Sequence, residues 1–389
     1  MEELARIYLA CIPETWIGFD ARREMGPMLQ GRGLRRPLIV TDKNVAKHGL
    51  LKDVEDSLRS CGIEYGVFDK SLPNGPTEII EECADALRKE HRDSLLAVGG
   101  GSPIDIAKAA SVLATNDEGV YDFIGRDKVK KPGLFKAVIP TTAGTGSEWS
   151  NSAIVTDARD SLKKPIFSRF MWCNLVIIDP VLSLELPPRE TADTGIDALT
   201  HAIEAYGAWK STVISDMFAE KAIELVSGSL RVAYAKGRKH IEARYKMCVA
   251  AALAMAAHTS SSAGLVHGMN YPLTAKTHVS HGTALALLLP HILEFNSIAC
   301  PHKYARIAQI MGETVDGCSP MEAPLKSAQA VRRLCRDVGM PGTLTEVGFK
   351  EQDIDDALDF LFEYQTYAME NNPRDVTRED LRQIYKAAL

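Results

Sequence analysis

The chain has 389 residues, of which 46% are hydrophobic and 25% are charged, and its formal net charge at pH 7 is −6. This is ordinary globular composition, and the length suggests two domains that each bury a core. The acidic balance and the lack of a basic block argue against nucleic-acid binding. The apolar stretches are too short or too interrupted to span a membrane.

The beginning of the chain and the cysteines bear on the compartment. MEELARIYLACIPETW has acidic residues where a signal peptide would have lysines, and no apolar core follows. The eight cysteines are scattered without a CxxC pair, which favours reduced thiols over a disulfide framework. We therefore expect a cytoplasmic protein. The segment IYLACIPETWIGF could form an edge strand used in assembly.

Up to about residue 185, short apolar runs alternate with amphipathic stretches. Four runs are predicted as buried strands: PLIV at 37–40, SLLAV at 94–98, KAVIP at 136–140 and LVIID at 175–179. Between them, VAKHGLLKDVEDSLRSC and PTEIIEECADALRKEH have helical spacing. This alternation predicts an α/β domain over residues 1–185, with a parallel sheet covered by helices.

The pattern changes after Leu186-Pro187-Pro188. From Asp193 onward nearly every long segment has a helical period, as in DMFAEKAIELVSGSLRVAYAKG, and no clear strand appears. We therefore predict an all-α C-terminal domain over residues 186–389.

Two glycine- and hydroxyl-rich turns follow predicted strands in the first domain. Gly99, Gly100 and Gly101 end one strand, and we expect Ser102 to cap the next helix with Pro103 at its first position. Glycines let a phosphate approach the backbone, and a helix N-terminus attracts it. A tight turn without a ligand is the alternative, since neither G-x-G-x-x-G nor GK[ST] is present.

The second turn, IPTTAGTGSEWSNSA, offers the hydroxyls of Thr141, Thr142 and Ser147 to a ribose or pyrophosphate. Ligands of open α/β sheets bind at the carboxyl ends of strands, which is where this turn lies. Asp42 ends another strand, where an acid can hydrogen-bond a ribose 2′-hydroxyl and so favour NAD over NADP. A solvated loop and a simple turn are the respective alternatives.

The second domain contains a possible metal-ligand set. Asp197 and His201 are four residues apart, so a helix projects them from one face, and His267 and His281 follow. One carboxylate and three imidazoles suit Fe²⁺ or Zn²⁺. The alternative is an accidental spacing in a chain with ten histidines.

Five motifs in order resemble the iron-containing (group III) alcohol dehydrogenase family over nearly the whole chain. They are GGGSPIDIAKA, PTTAGTGSE, DTGIDALTHAIEAY, GLVHGMNYPL and HG-x-x-x-A-x-x-LPH. The resemblance implies a Rossmann-like dinucleotide-binding domain followed by a helical metal-binding domain. It also implies reversible hydride transfer between NADH and a short aldehyde, with Fe²⁺ (or Zn²⁺), in a homodimer or larger homo-oligomer.

The resemblance also implies residue roles. The metal ligands are Asp197, His201, His267 and His281. The expected cofactor contacts are Asp42, Gly99, Gly100, Gly101, Ser102, Thr141, Thr142, Ser147, a lysine of KKPIF (Lys163 or Lys164) and Asn74. Asn74 lies in PNGPT, which has one residue more than the PNPT form.

Two departures concern catalysis and the substrate. Where many relatives read HGMAHPL, this chain reads HGMNYPL, so Tyr271 or His278 is the expected proton relay. His258, Ser260 and Ser262 lie in a stretch that is mostly apolar in relatives. We expect them to line the substrate pocket, which suggests a short aldehyde with a polar or anionic head such as sulfoacetaldehyde. Packing and helix capping are the alternative roles.

Two other functions compete with this interpretation. One is a metal- and NAD-dependent lyase similar to dehydroquinate synthase, whose metal sites use Glu and His and whose pocket is rich in Lys and Arg. The other is a non-catalytic protein that binds NAD or a metal. The Asp197, His201, His267 and His281 set argues against the first, and the complete motif set argues against the second.

Overall fold

A computed structural model of the protein describes residues 12–160, 162–262 and 264–389. These residues form two compact units, which divide between Leu184 and Glu185. The beginning of the segment IYLACIPETWIGF, residues 7–11, lies outside the described residues.

The first unit contains a six-stranded sheet in the order β1-β9-β6-β4-β2-β3 and a three-stranded sheet in the order β5-β8-β7. The strands are β1 Glu14–Ile17, β2 Pro37–Val40, β3 Gly66–Phe68, β4 Ser94–Gly99, β5 Gly125–Arg126, β6 Phe135–Pro140, β7 Ser152–Asp157, β8 Leu162–Phe167 and β9 Leu175–Ile178. All neighbouring strands of the larger sheet pair in parallel. The smaller sheet contains an antiparallel pair, β7 with β8.

The register of the larger sheet aligns the strand ends that precede the two glycine- and hydroxyl-rich turns. Gly99 of β4 lies opposite Pro140 of β6, and Val40 of β2 lies opposite Ala97 of β4. The residues of β2, β4 and β9 are buried along their whole length. Such continuous apolar strands are typical of a parallel sheet that is covered on both faces.

Helices cover this sheet. They are α1 Met25–Gly31, α2 Lys43–Lys47, α3 Lys52–Ser60, α4 Thr77–Lys89 and α5 Gly101–Leu113. One core joins the sheet to α1 and α3, where Leu29 and Leu58 pack with Ile39, Leu96 and Ile139. Helix α5 packs against β4, β6 and α4.

Local details differ from the sequence-based expectation. The predicted helix VAKHGLLKDVEDSLRSC is two helices, because Gly49 between them has a positive φ of 71°. Ser102 is not the cap of α5: that helix begins at Gly101, and Gly100 occupies the N-cap position. Strand β1 occupies an edge of the larger sheet.

The second unit is helical. Its helices are α6 Pro188–Gly207, α7 Val213–Lys236, α8 Ile241–Ser261, α9 Leu265–Thr277, α10 His281–Asn296, α11 Pro301–Ile310, α12 Leu325–Asp337, α13 Ile354–Tyr364, α14 Thr366–Glu370 and α15 Arg378–Ala388. Helices α6, α7 and α8 pack on one another, and α10 packs against α6, α9 and α12. No strand is present among residues 185–262 and 264–389. The predicted fold class, α/β followed by all-α, is confirmed.

Within the described part of the chain, no single helix is both long and apolar enough to cross a bilayer. The bent pair Ile241–Ser261 and Leu265–Thr277 meets the length and composition criteria only when its two helices are taken together.

Candidate functional site

Helix α6 carries the first part of the candidate metal site. The helix begins with Pro188, a residue suited to the first turn because its ring fixes φ and its missing N–H is not needed there. Asp197, His201 and Glu204 follow at spacings of four and three residues, and all three are buried. A helix places residues at these spacings on one face.

Two further helices bring the remaining candidate ligands. His267 lies in the first turn of α9, and His281 is the first residue of α10, after Ser280 at its N-cap. His267 is buried, whereas the side chain of His281 is 33% exposed. The site is therefore closed on the α6 side and partly open beside His281.

One carboxylate oxygen is the centre of this arrangement. The Oδ1 atom of Asp197 lies 3.4 Å from His201 Nδ1, 3.6 Å from His267 Nε2 and 3.7 Å from His281 Nε2. These distances are long for hydrogen bonds. They match the spacing between ligands of one tetrahedral ion, which is about 3.4 Å for metal–ligand bonds of about 2.1 Å.

The unpaired atoms support the same interpretation. Asp197 Oδ1, His201 Nδ1 and His267 Nε2 are buried, and none of them has a hydrogen-bond partner among the described residues. Orphaned buried polar atoms are costly, so several in one place indicate a missing ligand. Asp197, His267 and His281 offer ligand atoms within 4.8 Å of one another. The ring of His201 stacks on that of His267, with centroids 4.5 Å apart. The residues present therefore fit a divalent ion.

The charges of Asp197 and of the histidines around it affect one another's pKa values. Burial would raise the pKa of Asp197, but the neighbouring imidazoles, His201 first, more than offset this and hold it below its usual range. Burial lowers the pKa of His201 to about 4 against the opposing effect of Asp197. At His267 the attraction of Glu204 and Asp197 exceeds the effect of burial and raises the pKa to about 9. Metal binding is expected to release protons here, because ligand nitrogens must be unprotonated.

Two residues that the sequence pattern did not single out, Glu204 and Asn270, contact the Nδ1 atoms of His267 and His281. Glu204 Oε2 lies 2.5 Å from His267 Nδ1. Asn270 Oδ1 lies 2.9 Å from His281 Nδ1. Glu204 carried a detectable signal, since it continues the helical spacing of Asp197 and His201, but Asn270 had none beyond its place in HGMNYPL.

The predicted substrate-pocket residues have different environments. The ring of His258 meets His201 edge to face at a centroid distance of 4.7 Å, and its Nδ1 is buried without a hydrogen-bond partner among the described residues. Burial lowers the pKa of His258 well below its ordinary value. The Ser260 hydroxyl instead donates to Ala256 O of its own helix at 2.8 Å. Ser262 is the C-cap that follows α8, and it has a positive φ of 75°.

The two predicted proton-relay residues, Tyr271 and His278, differ in how far they follow His267 along the chain. Tyr271 is half-buried and stands one helical turn after His267, on the same face. His278 is the C-cap that follows the helix; it has the left-handed conformation, with a φ of 57°, and is exposed.

The predicted cofactor residues belong to the first unit. Thr141 N donates to Gly99 O at 2.9 Å, so the two turns run side by side. A Cβ at Gly100 would lie 3.4 Å from the Thr142 side chain, and one at Gly101 would lie 3.0 Å from the Thr145 side chain. The glycines therefore allow the close approach of the second turn.

Asn74 joins these turns through a short connection. Its backbone N–H donates to Ser102 Oγ at 3.1 Å, and its carbonyl accepts from the Thr156 hydroxyl at 2.8 Å. Asn74 and Gly75 both have positive φ, at 66° and 52°. The additional residue of PNGPT is thus accommodated in a tight turn beside the N-terminus of α5.

Asp42 acts as the N-cap of α2. Its Oδ1 accepts from the backbone N–H groups of Asn44 and Val45 at 2.8 and 3.0 Å. This is the role of a turn-starting Asp that the sequence left open. Its position after β2 also places it at the carboxyl edge of the sheet.

Ser147 takes part in a buried network rather than presenting its hydroxyl outward. That hydroxyl donates to Asp105, whose other oxygen accepts from Ile154 N at 2.9 Å. The Lys108 ammonium donates to Ser147 O and to Ser150 Oγ, both at 2.9 Å. The network ties α5 to the second turn.

The two lysines of KKPIF are distinguished by their neighbours. Lys164 pairs with Asp157 at 2.8 Å and with Asp160. Lys163, its neighbour in β8, projects to the opposite face because side chains alternate along a strand. Lys163 is accordingly the better candidate for a cofactor contact.

Comparisons with known proteins agree with this geometry. Residues 13–180 match the family described as iron-containing alcohol dehydrogenase, and residues 191–389 match the C-terminal part of the Fe-containing alcohol dehydrogenase family. The NAD-dependent methanol dehydrogenase of Bacillus methanolicus is 36% identical over 377 residues, 97% of this chain and 98% of that protein. The sulfoacetaldehyde reductase of Bilophila wadsworthia is 34% identical over 372 residues, 95% of this chain and 96% of that protein. A crystal structure of 1,3-propanediol oxidoreductase superimposes with a TM-score of 0.95 at 34% identity, covering 99% of this chain and all of that one.

The protein belongs to the iron-containing alcohol dehydrogenase family. It is therefore an oxidoreductase, and the expectation of NAD and a metal ion as cofactors is confirmed at the level of the family. The similar enzymes are named for different substrates, from methanol to sulfoacetaldehyde.

Proposed function

We propose that this protein catalyses the reversible, NAD(H)-dependent reduction of a short aldehyde to its alcohol at a metal ion held by Asp197, His201, His267 and His281. The observation that carries the proposal is the buried Asp197 Oδ1, which is unpaired and has three imidazole nitrogens 3.4–3.7 Å away. When bound, a divalent iron ion there supplies a Lewis acid for the substrate oxygen, and NADH supplies the hydride.

Replacement of a ligand tests this assignment. The Asp197→Ala variant should lose bound metal and aldehyde reductase activity together, while it retains NADH binding in the first unit. Metal content is measured by elemental analysis, and NADH binding by fluorescence titration. A metal-free variant with full activity would overturn the proposed site.

The cofactor is proposed to lie along the two turns of the first unit. The backbone of Gly99–Gly101 and the N-terminus of α5 suit a pyrophosphate, with Thr141 and Thr142 beside it and Asp42 at the end of β2. Asp42→Ala should weaken discrimination between NADH and NADPH by removing a carboxylate that repels a 2′-phosphate. An unchanged preference would show that Asp42 serves only as the cap of α2.

For the substrate we propose a short aldehyde with a polar or anionic head, such as sulfoacetaldehyde. His258 supports this, because its buried Nδ1 lacks a partner beside the ligand cluster and can hydrogen-bond a polar head. Ser260 gives less support, since its hydroxyl donates to its own helix. His258→Phe should lower kcat/KM for sulfoacetaldehyde by at least about tenfold and spare propanal, because one lost hydrogen bond to a charged group costs about 1.5–3 kcal/mol. An equal effect on both aldehydes, or a wild-type preference for propanal, would reject the polar-head proposal.

Tyr271 is the proposed proton relay, because it stands one turn from His267 and is half-buried. The exposed His278 at the end of α9 is the second candidate. Tyr271→Phe should lower kcat by about 10²-fold or more if its hydroxyl moves the proton in the rate-limiting step. If only His278→Ala lowers kcat, the relay is His278.

We also propose a cytoplasmic homodimer or larger homo-oligomer. None of the described cysteines takes part in a disulfide bond, as expected in a reducing compartment. Strand β1 is at the edge of its sheet, and Trp16, Ile17 and Phe19 are 52%, 38% and 51% exposed. Exposed apolar edge strands favour pairing with another chain. Sedimentation of the wild type and of Trp16→Lys tests this, since the substitution should shift the protein toward the monomer.

A further inference from the structure

Two of the four candidate ligands are contacted by residues that are not ligands themselves: Glu204 contacts His267, and Asn270 contacts His281. We propose that Glu204 and Asn270 are positioning residues that fix which ring nitrogen of His267 and of His281 faces the metal. The inference rests on the proposed function, because it assumes that these histidines bind an ion. In both His267 and His281, a hydrogen held on Nδ1 leaves Nε2 as the nitrogen that can bind a metal.

Glu204 is held in place independently of His267's ring. Its Oε1 accepts from Val266 N at 2.5 Å and from His267 N at 3.4 Å, both in the first turn of α9. A Cβ at Gly264 would lie 2.6 Å from that oxygen, so a glycine is required where the carboxylate meets the turn. With Oε1 occupied by the backbone, Oε2 is left for the ring.

The ring proton of His267 is thereby assigned. Glu204 Oε2 is 2.5 Å from Nδ1, and a carboxylate can only accept. Nδ1 must then keep its hydrogen, so the nitrogen that gives up a proton when an ion binds is Nε2, which lies 3.6 Å from Asp197 Oδ1 on the side of the ligand cluster. A charged partner of this kind orients a ligand histidine and increases its basicity.

Asn270 performs the corresponding task for His281 with a neutral amide. Its Nδ2 donates to the backbone carbonyl of His281 at 3.0 Å, which fixes the orientation of the amide. Its Oδ1 must therefore accept from His281 Nδ1 at 2.9 Å, which makes Nε2 the ring nitrogen that faces Asp197. Asn270 is fully buried, whereas His281 is partly exposed, so packing alone does not hold this ring.

Glu204→Gln should invert the first of these assignments. The two backbone N–H groups still require an oxygen, so the glutamine Oε1 replaces the carboxylate Oε1 and its NH₂ faces His267 Nδ1. That nitrogen must then accept, and the proton moves to Nε2, where it blocks the metal. Gln is preferable to Ala here, because Glu204 also lines a partly open cavity of about 20 Å³ that truncation would enlarge.

Asn270→Ala and Asn270→Asp separate positioning from packing at the second histidine. Alanine removes both amide hydrogen bonds, and it is also the residue of the HGMAHPL form of the motif. Aspartate loses the bond to the backbone carbonyl but keeps an acceptor for Nδ1–H. Asn270→Asp should therefore bind metal more tightly than Asn270→Ala.

The experiment is a titration of metal-free protein with Co²⁺, with affinity taken from competition with a chelator and geometry from the visible d–d bands. We expect Glu204→Gln and Asn270→Ala each to weaken Co²⁺ binding by about 10–100-fold, the usual effect of losing an outer-shell partner. The ¹⁵N spectrum of labelled histidine should show the Nε2–H tautomer in metal-free Glu204→Gln. Matched controls are Thr200→Val on α6 and Thr274→Val on α9, whose hydroxyls donate only to backbone carbonyls of their own helices.

The outcomes distinguish the proposed function from the proposed positioning role of Glu204 and Asn270. If wild-type protein takes up no Co²⁺, the proposed function and this inference both fall. If wild type binds Co²⁺ and the two variants bind it as tightly as the Thr200→Val and Thr274→Val controls, the function stands and the positioning role is refuted. NADH affinity, measured in parallel, should be unchanged in all variants and shows that each is folded.

Discussion

Lys108→Met is the most demanding test of the buried network behind the cofactor turns. The ammonium of Lys108 is completely buried and donates to Ser147 O and Ser150 Oγ at 2.9 Å. It also lies 3.9 Å from the Asp105 carboxylate. Methionine has a similar length but no charge, so the substitution leaves a buried carboxylate without its counter-charge.

The expected loss is about 3–5 kcal/mol of unfolding free energy, the usual cost of removing one partner of a buried ion pair. Burial already raises the pKa of Asp105, against the opposing effect of Lys108, so the carboxyl is expected to become protonated in the variant. Because a protonated Asp105 no longer needs a counter-charge, we expect the loss of unfolding free energy to lie near the lower end of this range. Because the network ties α5 to the second turn, the Kd for NADH should also rise.

The assay is urea denaturation followed by circular dichroism, together with NADH titration. Asp105→Asn combined with Lys108→Met removes both charges, so the double variant should be more stable than the sum of the two single losses by about 1–3 kcal/mol. A single Lys108→Met loss below about 1 kcal/mol, or strictly additive losses, would refute the argument that this pair is electrostatically coupled.

Three further changes have defined outcomes. Burial lowers the pKa of Lys136 from 10.5 to about 8, so between these pH values the folded state binds fewer protons than the unfolded state. The destabilisation caused by burying the charged Lys136 is therefore complete below about pH 8 and disappears as the pH rises to 10.5. Lys136→Met should therefore raise the unfolding free energy at neutral pH by about 2–3 kcal/mol, and this gain should shrink in alkaline solution; a gain that does not change with pH would contradict the assignment. Gly101→Ala places a Cβ 3.0 Å from the Thr145 side chain and should raise KM for NADH several-fold with little effect on aldehyde KM in steady-state kinetics. Gly228→Ala, in the middle of α7 with nothing within 4 Å of the new Cβ, should add about 0.5–1 kcal/mol of stability in urea and leave NADH KM unchanged, which makes it the matched control for Gly101→Ala.

The parts of the fold that were predictable are those set by local patterns. The runs at 37–40 and 94–98 are mostly apolar and buried along their whole length, as is typical of a parallel sheet covered on both faces, and they form strands as predicted. Strand β8 was missed because LKKPIF reads as a polar segment with a proline, and its pairing with β7 depends on tertiary context. Helix α5 begins at Gly101 rather than after Ser102, and the Ser102 hydroxyl accepts from Asn74 N, a residue 28 positions away that no local pattern links to it.

The same distinction applies to the candidate site. Asp197 and His201 can be selected from the sequence as candidate ligands because both lie on one helix at a spacing of four residues. The contact between Glu204 and His267 joins residues 63 positions apart, so no periodic pattern predicts it. The pocket role of Ser260 stays a prediction from composition, and the hydroxyl of this residue donates to Ala256 O of its own helix, a contact that composition does not indicate.

A metal ion at Asp197, His201, His267 and His281 is proposed to make this protein an NADH-dependent aldehyde reductase. The most direct measurement is NADH oxidation by protein stripped of metal and then reloaded with Fe²⁺ or Zn²⁺, against matched neutral and anionic short aldehydes. We predict no turnover by the stripped protein and its recovery on reloading, with Asp197→Ala inactive under all conditions. Turnover that is equal in stripped and reloaded protein would contradict the claim.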